Sequence, residues 1–144
     1  MSTERIKNIK KNILKDSHSA NDGHLGSSFS IIDILFVLYD RVMNLTLENI
    51  NDEDRDYMVL SKGHASLAHA AILEEKGFIS KKQLMSFCSH DSILGGHLNK
   101  NKVPGVEAST GSLGHGIPIS VGIALASKIK RLSNRVFVVV GDGE

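Results

Sequence analysis

The feature that most constrains the fold of this chain is a short apolar run close to its C-terminal end. Residues 135–140 read Arg-Val-Phe-Val-Val-Val, and Gly141, Asp142 and Gly143 follow at once. A short β-branched run of this kind is typical of a strand buried on both faces of a parallel sheet. Open α/β sheets bind ligands at the carboxyl ends of such strands, and glycine lets the backbone turn sharply there. The pattern therefore predicts an α/β fold with Asp142 at a ligand-binding edge.

Asp142 has two interpretations when it is considered alone. An aspartate at the end of a parallel strand is a suitable ligand for a hard cation that bridges to phosphate oxygens. The alternative is a tight turn after a core strand, in which Asp142 is a solvated or capping residue. The rest of the chain favours the first interpretation.

Size, charge and cysteine content exclude several classes of protein. A length of 144 residues suits one domain. The 17 basic residues nearly balance the 16 acidic ones, so bulk charge indicates neither a nucleic-acid partner nor a membrane surface. Cys88 is the one cysteine, which excludes an internal disulfide and fits a reducing, cytoplasmic location. We expect neither a signal peptide nor a membrane-spanning segment.

Hydrophobic periodicity in the first half of the chain predicts helices around one strand. Residues 3–19 form an amphipathic pattern, and a second, buried helix is predicted to run to about Met43 with Ser28 or Ser30 as its cap. Residues 51–56 read as a charged surface turn. Residues 57–60 read as a strand, which we expect to pair in parallel with the C-terminal one.

The second half contains shorter signals. Gly77 is placed to close an alanine-rich helix, and the Ser80–Gln83 spacing is that of a capping box. Residues 88–114 show no convincing periodicity, although their glycines favour an ordered binding loop. We expect this loop to cross the carboxyl ends of both strands. Pro118 is well placed in the first turn of a last helix.

Four histidines stand beside glycine at predicted element boundaries: His24, His64, His97 and His115. Imidazoles donate hydrogen bonds and transfer protons near neutral pH. Each one alone is an ordinary loop histidine, but their shared setting predicts that the first three converge with Asp142 on one cleft. The alternative of a zinc hydrolase is disfavoured, because the chain has no closely spaced His or Cys ligand pair.

Four motifs occur in a fixed order along the chain: residues 22–28 (DGHLGSS), 54–65 (DRDYMVLSKGHA), 104–114 (PGVEASTGSLG) and 141–143 (GDG). The series resembles the N-terminal, thiamine-diphosphate-binding region of transketolases, most closely the split type in which this region is a separate subunit. The resemblance covers the chain from about residue 4. It implies an incomplete parallel-sheet domain with helices on both faces, of which residues 1–144 are the N-terminal part, truncated after the Gly-Asp-Gly motif.

The resemblance implies roles for three of the histidines. His24 and His97 match catalytic residues that contact the sugar, the second of them near the reacting carbon. His64 matches a histidine that lies against thiamine diphosphate. His18, His69 and His90 have no such counterparts, and we expect them to be structural or exposed.

The resemblance also implies a cofactor cradle and a metal ligand. The backbone of Gly111, Ser112 and Leu113 matches a loop that holds the cofactor, and Gly143 matches a glycine that packs on the diphosphate. Asp142 matches an aspartate that binds Mg²⁺ or Ca²⁺ there. The second metal-binding asparagine would lie past Glu144, and the activating glutamate belongs to another domain.

The implied function is transfer of a two-carbon ketol unit from a ketose or ketose phosphate to an aldose or aldose phosphate. The implied partner is a pyrimidine-binding domain or a C-terminal transketolase subunit, in a homodimer or heterotetramer. A related enzyme, such as a 1-deoxyxylulose-phosphate synthase or a pathway-specific sugar enzyme, is one alternative. A non-catalytic truncated interaction module is another.

Three positions depart from the residues common in the family. His115 stands where glutamine is usual, Cys88 where arginine is frequent, and Leu98 where proline follows the histidine. These departures concern the sugar more than the cofactor.

Overall fold

The computed structural model of the chain describes residues 2–144. The described residues contain five α-helices and two β-strands in the order α1 (Ser2–Ala20), α2 (Leu25–Val37), β1 (Tyr57–Leu60), α3 (Ser66–Glu75), α4 (Lys81–Met85), α5 (Gly116–Lys130) and β2 (Val136–Val139). A π-helical turn, Leu38–Val42, extends α2, and a 3₁₀ turn, Gly63–Ala65, precedes α3. Within the described residues, no helix is both long enough and apolar enough to cross a membrane.

β1 and β2 are parallel neighbours, as the sequence predicted. Tyr57 lies opposite Val136, and the register continues to Leu60 opposite Val139. β1 covers the predicted residues 57–60, and β2 is one residue shorter at each end than the run 135–140. Helices join the two strands, so the architecture is an incomplete α/β domain with an open parallel sheet.

The hydrophobic core lies where α1, α2 and α3 pack against one another. It includes the large, fully buried side chains of Ile13, Ile32, Leu35, Phe36 and Leu67. Helix α3 is buried from Ser66 through Leu73, as expected of a helix that is apolar on every side.

The second helix begins earlier than the sequence indicated. His24 is its N-cap residue, and the prediction that Ser28 or Ser30 caps it was wrong. The reason is the turn at Gly23, whose φ of +109° lets the chain enter the helix at once. Ser28 is instead fully buried within α2.

The segment predicted as a charged surface turn is also partly interior. Arg55 and Asp56 are 8% and 2% exposed. Asp56 accepts hydrogen bonds from the backbone N–H groups of Asn44 (2.8 Å) and Arg135 (2.7 Å). It also forms a 2.6 Å ion pair with the Arg135 guanidinium. Asp56 therefore joins the starts of both strands.

The local signals in residues 77–85 are confirmed. Gly77 has a φ of +80° just after α3, and Phe78 N–H donates to the Leu73 carbonyl at 2.8 Å. Ser80 and Gln83 form a reciprocal capping box at the start of α4. Residues 86–115 contain no helix or strand, as expected of the long loop.

Candidate functional site

The carboxyl end of β1 is bound directly to the long loop. A Cβ atom on Gly63 would overlap the backbone carbonyl of Thr110, so only glycine fits at this contact. The Thr110 hydroxyl donates a hydrogen bond to the carbonyl of Leu60, the last residue of β1. The loop therefore crosses the sheet edge, as predicted.

The start of α5 is anchored at the same edge. A Cβ atom on Gly116 would overlap the Ser61 side chain, and Gly116 N–H donates to Ser61 Oγ at 3.1 Å. Ser61 follows β1 directly and is fully buried. This bond satisfies one of the backbone N–H groups that a helix N-terminus leaves without an intrahelical partner.

Three of the predicted histidines come together here. The rings of His24 and His64 meet edge to face, with their centroids 5.2 Å apart. The His97 ring lies against Gly111, where a Cβ atom would be only 2.8 Å from His97 Cδ2. Burial lowers the pKa of His64, and the charges of His24, Lys62 and His97 lower it further, against an opposing effect of Glu144. His64 is therefore a neutral imidazole at pH 7.

Asp142 lies at the edge of the sheet that carries these histidines. It is exposed on the turn that follows β2, in which Glu144 N–H donates to the Gly141 carbonyl at 3.3 Å. Because β1 and β2 run in parallel, this turn and the Ser61–His64 turn leave the same end of the sheet. A Cβ atom on Gly143 would meet no other atom within 4 Å.

An open groove of about 420 Å³ continues the site along the loop. Its walls include His97, Thr110, Gly111, Ser112 and His115. Leu113, predicted in the same wall, is 59% exposed and does not line this groove. The groove thus contains two of the three predicted cradle residues.

A buried ion pair below the site was missed by the sequence interpretation. Arg55 Nη1 and Glu107 Oε1 are 2.7 Å apart, and both residues are 8% exposed. Arg55 Nε also donates to the Ile50 carbonyl at 2.7 Å. Asp54 and Asp56 flank Arg55 in the sequence, so no local apolar signal indicated its burial. The pair joins the long loop to the segment just before β1.

No group of three His, Cys, Asp or Glu side chains between residues 2 and 144 is arranged to hold a metal ion. Side chains of these residue types alone therefore do not form a zinc site of the structural or hydrolytic kind. Asp142 can contribute one carboxylate to a dication whose other ligands come from backbone, water or phosphate oxygens.

A family model described as "Transketolase, thiamine diphosphate binding domain" matches residues 2–143. The chain belongs to the transketolase family. The transketolase of Leishmania mexicana has the same fold, with a TM-score of 0.89 and 27% identity over 97% of this chain and 22% of that one. A transketolase of Campylobacter jejuni gives a TM-score of 0.86 at 26% identity over 97% of this chain and 23% of that one. The resemblance drawn from the motifs is confirmed.

Subunits of split transketolases are among the similar sequences. An apulose-4-phosphate transketolase subunit of Actinobacillus succinogenes is 38% identical over 94% of this chain and 49% of its own length. A 6-deoxy-6-sulfo-D-fructose transketolase subunit of a Clostridium species is 36% identical, over 94% of this chain and 50% of its own length. The chain thus spans about half the length of these relatives.

A further relative carries a name from another class. The protein called ferredoxin fas2, from Rhodococcoides fascians, is 45% identical over 86% of this chain and 41% of its own length. An iron–sulfur cluster of the ferredoxin type needs four cysteine thiolates. This transketolase-family chain has one cysteine, so its 144 residues cannot supply those ligands.

Proposed function

We propose that the chain supplies the diphosphate-binding half of an active transketolase, which moves a two-carbon ketol unit from a ketose or ketose phosphate to an aldose or aldose phosphate. The observation that carries the proposal is the meeting of His24, His64 and His97 at the sheet edge that also carries Asp142. Family membership supports the cofactor and the reaction class.

The residues at this edge fit thiamine diphosphate with a dication. We assign His64 and the backbone of Gly111, Ser112 and Leu113 to cofactor binding. Asp142 is the proposed ligand of Mg²⁺ or Ca²⁺, and Gly143 is proposed to pack on the diphosphate. The parallel pairing of β1 and β2 supports this assignment, because it brings the turns that carry His64 and Asp142 to the same end of the sheet. When bound, the thiazolium supplies the carbanion chemistry of ketol transfer.

Two histidines of the chain position the sugar and exchange protons with it. His24 and His97 are the proposed catalytic residues, because imidazoles can donate hydrogen bonds to sugar oxygens and carry protons near neutral pH. The contact of His97 with Gly111 supports its orientation toward the groove. His64, held neutral by burial, can share a hydrogen bond without adding charge.

A partner completes the proposed site. The similar apulose-4-phosphate and sulfofructose proteins are named as subunits. We propose that a pyrimidine-binding domain or C-terminal subunit supplies the activating glutamate, in a homodimer or heterotetramer in the cytoplasm. We expect that assembly to act in carbohydrate metabolism, with pentoses and pentose phosphates as candidate substrates.

Two variants in the complete assembly test the assigned roles. Asp142→Ala removes a carboxylate ligand of the dication, so thiamine diphosphate affinity and activity should both be lost. His97→Ala should lower kcat/KM roughly a hundredfold, the effect of losing one well-placed hydrogen-bonding group, while cofactor affinity stays near that of the wild type. Calorimetric titration with thiamine diphosphate and Mg²⁺ measures the cofactor affinity, and a coupled ketol-transfer assay measures kcat/KM.

Asp91→Ala is the matched control, because Asp91 is an exposed aspartate in the loop. Its loss should change neither the cofactor affinity nor kcat/KM. Unaltered cofactor binding by Asp142→Ala, or loss of binding by His97→Ala, contradicts the assignment. A complete assembly that binds no cofactor supports the non-catalytic module. Cofactor binding with decarboxylating condensation in place of ketol transfer supports the 1-deoxyxylulose-phosphate synthase alternative.

A further inference from the structure

The turn between α1 and α2 carries a carboxylate that has no part in the roles assigned above. Asp22 stands two residues before His24 and is exposed. Its backbone is held on both sides by Ser17: Asp22 N–H donates to the Ser17 carbonyl at 3.3 Å, and Ser17 Oγ donates to the Asp22 carbonyl at 2.7 Å. The position of Asp22 is therefore fixed relative to the histidine that follows it.

The carboxylate itself is oriented by two donors. Gly23 N–H donates to Oδ1 at 2.5 Å, and Cys88 Sγ donates to Oδ2 at 3.4 Å across a separation of 66 residues. A Cβ atom on Gly96 would lie 3.7 Å from Asp22 Oδ2, so the carboxylate lies over the segment that carries His97. Asp22 thus reaches from the first helical turn to the long loop.

The environment keeps this group ionised. The hydrogen bond from Gly23 N–H lowers the pKa of Asp22 most. The hydrogen bond from Cys88 and the charges of His24 and His97 lower it further. The Cys88 thiol responds in the opposite sense, since burial and the neighbouring carboxylate raise its pKa to about 11. At neutral pH the pair is a carboxylate with a protonated thiol as donor.

An ionised carboxylate only accepts hydrogen bonds. Two donors use part of its capacity, and its remaining lone pairs face solvent beside the proposed sugar-binding histidines. Hydroxyl groups form strong, charge-assisted bonds to such a group, whereas phosphate and sulfonate are repelled by it. Lys62 and Glu144 are the other charged side chains that act on this cluster. Lys62 points its Nζ to Ser30 Oγ at 3.0 Å and does not neutralise Asp22.

We propose that Asp22 is a specificity-determining residue, which binds hydroxyl groups of the sugar beside His24 and His97 and favours an unphosphorylated sugar over its phosphate ester. The proposal rests on the function proposed above, because it concerns the sugar of the same site. Cys88 is the positioning residue that holds Asp22 in the required orientation.

The test compares D-xylulose with D-xylulose 5-phosphate as ketol donors for the complete assembly with thiamine diphosphate and Mg²⁺. Asp22→Asn keeps the shape of the side chain and an acceptor for Gly23 N–H, but removes the charge. The ratio of kcat/KM for the phosphate ester to that for the free sugar should rise about tenfold, the size expected for removing one partly screened like charge. Most of the change should lie in KM.

Asp52→Asn is the matched control, because it removes one charge from an exposed turn and should leave the ratio unchanged. If Asp22→Asn does not fold, Asp22→Ser removes the same charge and should shift the ratio in the same direction. Turnover with an unchanged ratio in the Asp22 variant overturns this assignment alone. A wild-type assembly that binds the cofactor yet transfers from neither sugar overturns the proposed function and this assignment with it.

Discussion

His69 shows how the surroundings of a single residue set its chemistry. It is 2% exposed, and its Nε2 lies 2.9 Å from the Tyr39 hydroxyl. The π-helical turn Leu38–Val42 carries Tyr39. Burial lowers the pKa of His69 to about 4 from the ordinary 6.5. The expectation that His69 is structural agrees with this buried hydrogen bond.

The lowered pKa of His69 predicts acid sensitivity of the fold. Between pH 6.5 and about 4 the unfolded chain binds a proton at His69 that the folded chain does not, so the stability present above pH 6.5 is lost as pH falls through this window. The full loss is about 3 kcal/mol. His69→Gln should therefore flatten the dependence of the free energy of unfolding on pH, measured by urea unfolding from pH 4 to pH 7.

His90→Gln is the control for this prediction, because His90 is exposed and its removal should leave the slope unchanged. A His69→Gln protein with the wild-type slope would show that other groups cause the acid sensitivity.

The elements of the site contact one another at glycine residues, where a side chain would not fit. Gly63 and Thr110 join the loop to β1, and Gly116 and Ser61 join α5 to the same strand end. Such contacts set the position of the loop more strictly than hydrophobic packing does, because backbone atoms cannot rotate away. We expect the groove to keep its shape only while these contacts exist.

Gly116→Ala tests the α5 contact. The added methyl group would overlap both the backbone and the side chain of Ser61, so the helix start must shift. We expect a loss of about 1–3 kcal/mol in the free energy of unfolding, as for other overpacked sites. Cofactor affinity should fall as well. Urea unfolding and thiamine diphosphate titration of the complete assembly measure the two effects.

Gly122→Ala is the matched control in the same helix for urea unfolding of the 144-residue polypeptide, in which this face of α5 is uncovered. A Cβ atom there would meet nothing within 4 Å, and alanine is the better helix former by roughly 1 kcal/mol. This variant should be neutral or stabilising. If the Gly116→Ala protein is as stable as the Gly122→Ala protein, Ser61 moves aside without a loss in the free energy of unfolding.

Across the whole molecule, α5 and β2 expose an apolar surface. Val121, Leu125 and Ile129 are 53%, 54% and 80% exposed, and Val138 of β2 is 37% exposed. Extended apolar surfaces of this kind mark sites where other protein covers the chain. The surface agrees with a chain that spans about half the length of its relatives.

We predict that the purified 144-residue polypeptide has no ketol-transfer activity, because its residues form only part of the proposed cofactor site. Activity should appear when the remaining polypeptide or partner subunit is added, together with thiamine diphosphate and Mg²⁺. A coupled assay of the two preparations, alone and mixed, measures this. Appreciable turnover by the polypeptide alone would contradict the half-site proposal.

Much of the local structure could be predicted from the sequence by itself. The β-branched run before Gly141 defined β2, and the spacing of Ser80 and Gln83 defined the start of α4. Signals of this kind lie within a few residues of one another, because backbone preference, capping and hydrophobic period act over short distances. The motifs also determined family membership, since their order along the chain is itself a sequence property.

The tertiary structure decided which distant residues meet. Asp22 and Cys88 are 66 residues apart, and Thr110 bonds to Leu60 from 50 residues away. The burial of Arg55 with Glu107 also depends on the loop that folds over it. No local pattern specifies such contacts, because a polar residue has the same neighbours in sequence whether it ends in solvent or inside the protein. The burial, the charge state and the partner of such a residue are set only when the loop packs against the sheet edge.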